Sequence, residues 1–337
     1  MKKHIFLPAL LLLLVCVTLI SLALGKYPVA MVDIFSFAGS RLFHFDSLSP
    51  EKEALLHNLL INIRLPRILA ALLIGASLSV SGAAFQSMFV NPLVSPGLLG
   101  VLAGASFGAA FGMVFSKSWF AVQGFSLGFG FMAVIISVGI AKIHRGNAVL
   151  LLVLGGVISG AMFTALLSII KYVADPYNQL PAITQWLMGG LSLVNFGTLK
   201  AASIPMITGI AAITLMSGYL NALSMGDDEA RSLGIPVEKM RMILIFLSTM
   251  ISAITVVIAG MIGWVGLLIP HVTRMLVGPD NRVLIPASAI IGASYLMLVD
   301  DFSRMLFIVE IPIGITTSLI GIPFFVIILR NARKAWN

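Results

Sequence analysis

The chain has 337 residues, of which 59% are hydrophobic and only 10% charged, with a mean hydropathy of +1.07. A soluble domain carries about 25% charged residues, so this composition excludes an ordinary soluble enzyme and points to an integral membrane protein with many spans. The net charge of +8 reads as loop orientation rather than nucleic-acid binding, and the single cysteine, Cys16, excludes an intrachain disulfide.

Repeated apolar runs of about 20 residues predict helices and not an outer-membrane barrel. Lys2 and Lys3 precede a run over residues 5–24. It exceeds the roughly 7–15 residues of a signal h-region, so it predicts a first transmembrane helix. Residues 27–62 are mixed and polar and read as an excursion outside the membrane. Further runs follow at 65–90, 98–115, 119–141, 148–172, 199–220, 242–262, 265–277, 283–299 and 311–329. With the first helix these make ten candidates. The 265–277 run is short and contains Pro270, which suits a supported or re-entrant span. The fold class is therefore all-α and polytopic, one transmembrane domain over residues 1–337.

An even count places both termini on one side. With the N-terminus inside, twelve of the 21 Lys and Arg fall inside, and the short inner loops carry the bias most clearly. Glycine recurs every fourth residue at Gly100, Gly104, Gly108 and Gly112, with the same spacing at Gly124/Gly128 and Gly156/Gly160. Such a face lets a neighbouring helix approach closely. Packing within one subunit is the first reading of it, and contact with a second copy the other.

Between the runs at 199–220 and 242–262 lies the most polar interruption of the C-terminal half, residues 221–241, with Asp227, Asp228, Glu229, Arg231, Glu238, Lys239 and Arg241. Ser224, an acidic first turn, then Gly234 and Pro236 predict one short helix over about 224–236. Membrane-length flanks put it at a membrane surface, inside in the chosen orientation. It reads either as a solvated loop helix or as a place where a separate motor pushes.

Several chemistries are missing. No G-x-x-x-x-G-K-[ST] nucleotide loop, no H-E-x-x-H and no C-x-x-C occurs. The five histidines are scattered and read as structural, so neither a metal site nor a cofactor is expected. Spans almost free of acids and bases count against a proton- or ion-coupled carrier and an intramembrane hydrolase. What is left is a polytopic path without its own energy source.

Specific motifs narrow this reading. Arg64-Leu65-Pro66-Arg67 opens the second run, followed by Asn91-Pro92-Leu93 and Pro96-Gly97-Leu98-Leu99-Gly100. Ala230-Arg231-Ser232-Leu233-Gly234-Ile235 comes next, then Gly263-Trp264-Val265-Gly266-Leu267-Leu268-Ile269-Pro270-His271 with Arg274. Glu310-Ile311-Pro312-Ile313-Gly314-Ile315-Thr316 and Gly321-Ile322-Pro323 complete the set. In order and spacing they resemble the permease subunits of type II ABC importers, the family of cobalamin, haem and iron–siderophore uptake, over about residues 59–329. The chain is also similar to members associated with molybdate and tungstate.

The resemblance implies ten helices per subunit in a homodimer within the bilayer of the bacterial cell (inner) membrane, and no nucleic-acid partner. Two cytoplasmic ATPase subunits lie below and a substrate-binding protein docks outside. It assigns Asp228, Glu229, Ala230, Leu233 and Gly234 to a coupling helix seated in the ATPase. It assigns Arg64, Arg67 and Arg304 to docking of the binding protein. Asn91 and Leu93 become an inner gate, and Gly155, Gly156, Ser159 and Gly160 a pathway wall. For the first two arginines, anchoring at the headgroups is the competing reading, and for each wall glycine it is packing. A secondary carrier or channel is the alternative of another class, and an ABC exporter shares the motor but not the external docking.

Overall fold

The computed structural model describes residues 3–43, 48–116, 118–143 and 148–334; Lys2, His44, Lys117, His144 and Arg145 lie outside them. The described residues form helices joined by turns and irregular segments, with no strand among them. Every one of the ten apolar runs forms a helix. Among the described residues, seven helices are long and apolar enough to cross a membrane, and three shorter apolar ones cover Val101–Phe115, Val265–Val277 and Ile313–Val326.

The central element is α4 (Leu65–Met88), buried along nearly its whole length. Around it stand α1 (Lys3–Ala23), α12 (Val237–Ala259), α13 (Val265–Val277), α14 (Asn281–Met305) and α9 (Phe196–Leu215). Lipid offers no hydrophobic drive between helices, so small residues decide which faces meet. A Cβ on Gly75 would overlap the backbone of Gly292 on α14, and one on Gly82 the backbone of Gly266 on α13. These two contacts let three backbones touch, which a larger side chain would prevent.

A second bundle packs α5 (Val101–Phe115) on α6 (Trp119–Ile143) and α7 (Ala148–Val173). The four-residue glycine repeat explains it. Gly104, Gly108 and Gly112 lie against Phe129, Phe125 and Val122 of α6, while Gly100 sits over Gly160 of α7. This face is therefore intramolecular packing. Gly124 and Gly128 meet nothing within 4 Å.

Residues 27–62 hold more order than their polarity suggests. α2 (Met31–Phe43) and α3 (Pro50–Leu56) form a small helical pair, and a π-helical turn, His57–Arg64, runs without a break into α4. Ser49 caps α3, Pro50 occupies its first turn, and Glu51 and Glu53 face the positive end of its dipole. Val29, Ile34, Phe37, Leu56 and Leu60 bury a local core, with Lys52–Asp33 at 2.6 Å across the surface.

α8 (Gln179–Leu187) is a helix that the apolar runs do not announce. Its end meets the end of α12 and the start of α15 (Ile313–Lys334) through backbone bonds. Gly190 N–H donates to the Ala259 carbonyl at 2.8 Å, and Ile313 N–H to the Gly189 carbonyl at 3.0 Å. Gly314 carries no Cβ because one would overlap the carbonyls of Met188 and Met261. Two short helices, α10 (Ser217–Leu223) and α11 (Asp227–Ser232), connect α9 to α12.

Candidate functional site

The polar groups gather at the two ends of α4, roughly 36 Å apart for 24 residues at 1.5 Å each. At its Met88 end lies α11. Asp227, Asp228 and Glu229 form its first turn, where acids suit the dipole. Ser224 is not its cap, as the polar starter suggested. That hydroxyl donates to the Asn221 carbonyl, and Gly226 at φ 116° makes the turn.

Arg241 of α12, almost wholly buried, bonds Asp227 at 2.5 Å and ties α11 down. Arg231 reaches Asp228 at 3.1 Å and Glu238 at 2.6 Å. The bond to Glu238 and its charge hold the Arg231 guanidinium above its ordinary pKa. Ala230 is fully buried in the core cluster with Leu223, Val237 and Leu244. Within the coupling segment it therefore anchors the helix and presents no exposed surface of its own. Asp228, Glu229, Leu233 and Gly234 are exposed and form one free face. Gly234 has φ +77°, and a Cβ added to it would meet nothing within 4 Å.

Near Ser224, just before α11, sits the turn after α4. Asn91 accepts the Leu93 N–H at 2.9 Å through Oδ1, an Asx turn. Leu93 is exposed. Val90 before it has φ +49°, an outlier for a β-branched residue.

The three arginines assigned to docking gather at the opposite end of α4, Arg64 just before it, Arg67 on it and Arg304 on α14, and each has partners within the chain. Arg67 donates to both oxygens of Asp300 from Nε and Nη2 at 2.8–3.0 Å and pairs with Glu310 at 2.9 Å. Arg304 pairs with Asp300 and Asp301, and Ser21 of α1 donates to Asp301 at 2.5 Å. Arg64 instead donates to the carbonyls of Leu22, Ala23 and Tyr27. All three are buried. Three guanidiniums thus share this end of the molecule with three carboxylates. The network locks α1, α4, α14 and the segment that leads into α15 together. The acids were the missed residues. Asp300 and Arg304 at i,i+4 are a visible signal, whereas Arg67 lies 233 positions from Asp300.

The four small residues assigned to the wall of α7 take the competing reading, packing within the chain. Gly155 lies against the Ser137 carbonyl and Gly156 against that of Leu98. Ser159, fully buried, donates to the Ala133 carbonyl at 2.7 Å. These small residues, with Gly160, turn inward onto α6 and the Pro96–Leu99 turn. The free face of α7 is the other one, with Leu154, Val157, Ala161, Thr164 and Ser168 exposed. Both hydroxyls on it bond their own helix, Thr164 to the Gly160 carbonyl and Ser168 to that of Thr164.

Among the described residues no group of three metal-ligating side chains comes together. A tripartite arrangement remains: a tethered polar helix at one end, a charge-balanced latch at the other, and an apolar body between.

Known proteins resemble this chain in sequence and in fold. The FecCD transport family profile matches residues 12–331. The molybdate import system permease protein of Haemophilus influenzae is 36% identical over 96% of this chain and 95% of its own. The hemin transport system permease protein of Yersinia pestis is 34% identical over 97% of both chains. A solved inward-facing metal-chelate type ABC transporter has a TM-score of 0.86, with 35% identity, over 97% of this chain and 99% of that one. With that span of the sequence matched and the fold superposed, the chain belongs to the FecCD transport family, as an ABC transporter permease.

Proposed function

We propose that the chain is the translocating subunit of a binding-protein-dependent ABC importer that carries a metal chelate, of the iron–siderophore, haem or cobalamin type. Two copies form the path, each with ten spans and both termini in the cytoplasm. The observation that carries this reading is α11, a polar helix pinned by Ala230 and Arg241 with an exposed face of Asp228, Glu229, Leu233 and Gly234. A body with no nucleotide loop has use for such a face if a separate ATPase pushes on it.

ATP closes the motor pair, α11 shifts, and the dimer opens toward the other side. Asn91 and Leu93 narrow the inner mouth. The free face of α7, Val157 to Ser168, forms the wall. Its hydroxyls are already satisfied by backbone, so it holds cargo weakly, as a path requires. The binding protein docks over the outer latch, where Glu310 is the most open charge. Arg67 and Arg304 engage it by exchanging their own carboxylates for the partner's.

A second cargo reading, an oxyanion such as molybdate or tungstate, is favoured by the molybdate permease relative. The test is reconstitution in proteoliposomes with the cognate ATPase and binding protein. Uptake that requires both partners and ATP supports the proposal. Uptake by the chain alone on a gradient identifies a secondary carrier or channel instead. The ligand that the binding protein retains decides the cargo.

A further inference from the structure

Among the described residues, one partly buried guanidinium has neither a carboxylate nor a carbonyl to hold it. Arg67, Arg241 and Arg304 are buried against carboxylates, and Arg64 against carbonyls. Arg274, half-buried on α13, has no carboxylate in ion-pair distance among the described residues. Its Nη2 reaches only the Ser87 hydroxyl at 3.3 Å, and its Nε is buried without a partner. Taking a guanidinium partly out of water without a counter-charge is costly, so a site built this way calls for an anion.

The surroundings form a cleft of about 370 Å³ that the end of α4, the 90–92 turn, the 224 corner and α13 enclose. Arg274 and His271 share one face of α13 at i,i+3, and both line it with Asn91 and Ser224. Asn91 has committed its Oδ1 to Leu93, which leaves its NH₂ group as a donor. His271 Nδ1 is buried without a partner. No acid lines the cleft. The set is one charge, neutral donors and no competing carboxylate.

We propose that this cleft binds a phosphate-type oxyanion, either a free ion or the headgroup phosphate of a membrane lipid, with Arg274 as its principal ligand. Because Val90 and Asn91 line the same cleft, a bound anion braces the strained turn after α4 against α13 and stiffens the inner mouth. The site is independent of the cargo reading.

The test uses the purified full chain, stripped of lipid in detergent. Inorganic phosphate is titrated calorimetrically. In parallel, the protein is moved into nanodiscs of phosphatidylglycerol or of an uncharged glycolipid and its thermal unfolding is recorded. Saturable phosphate binding that weakens roughly 10-fold or more in Arg274→Gln supports a free-ion site. Stabilisation by phosphatidylglycerol over glycolipid that disappears in Arg274→Gln supports a lipid source. If Arg274→Gln does not accumulate, Arg274→Lys keeps the charge without the fork and should show an intermediate loss. No response of the wild type to either probe overturns the proposal. So does protection of Arg274 from phenylglyoxal only when the ATPase is added, since the counter-charge would then be a protein carboxylate.

Discussion

Asp300→Asn is the sharpest perturbation of the outer latch. Asp300 is the shared carboxylate, holding Arg67 through three contacts at 2.8–3.0 Å and Arg304 at 3.3 Å, with a side chain only 3% exposed. Asparagine keeps the shape and one acceptor but removes the charge, so two buried guanidiniums then share Asp301 and Glu310. Removing one partner of a buried pair costs about 3–5 kcal/mol. The retained acceptor puts the expected loss near the lower end, about 3 kcal/mol. Removing both charges at once, in Arg67→Met with Asp300→Leu, should cost less than the two single changes together, with a coupling of about 1–3 kcal/mol. Denaturant titration in mixed micelles, followed by tryptophan fluorescence, measures all four corners of the cycle. An Asp300→Asn chain within about 0.5 kcal/mol of wild type, an ordinary surface value, would refute the reasoning, as would strict additivity in the cycle.

Three further outcomes follow from packing and backbone geometry. Gly108→Leu drives a side chain into the Phe125 backbone and should destabilise the chain by about 3 kcal/mol or more through overpacking, seen in the same denaturant titration; Gly124→Leu, which meets nothing, should be near neutral in the monomer. Ala230→Leu should unseat α11, because the fully buried pocket of Ala230 holds no larger side chain, and faster amide exchange across 227–234 is the readout. Val90→Gly relaxes a positive φ and should stabilise by about 1–2 kcal/mol; a loss of stability there would mean that its packing outweighs the strain.

The sequence was most legible where one physical signal dominated. Each apolar run became a helix because a span must satisfy its own backbone, and the four-residue glycine spacing found its partner in α6. α8 was hidden because Pro181, Gln179 and Gln185 break any apolar period in nine residues. The latch was half legible. Spacing shows Asp300 beside Arg304, but nothing local brings Ser21 to Asp301, 280 positions away. At α7 the sequence left packing and pathway lining open, because small residues serve close packing as well as an open path. Only the neighbouring backbones of Ser137 and Leu98 tell the two apart. At α11 the composition found the helix, whereas the burial of Ala230 separates the residue that anchors it from those that face outward.

The central claim is that the exposed face of α11 transmits the work of a separate ATPase. Gly234 sits on that face in a left-handed turn with open space around it, so Gly234→Phe obstructs a partner's surface and costs the fold only the φ penalty of roughly 1–2 kcal/mol. The decisive measurement is ATP hydrolysis and uptake, recorded together in proteoliposomes holding this variant with its ATPase and binding protein. The account predicts that the variant inserts and hydrolysis continues while uptake falls at least 10-fold. Uptake at the wild-type rate per ATP would contradict it.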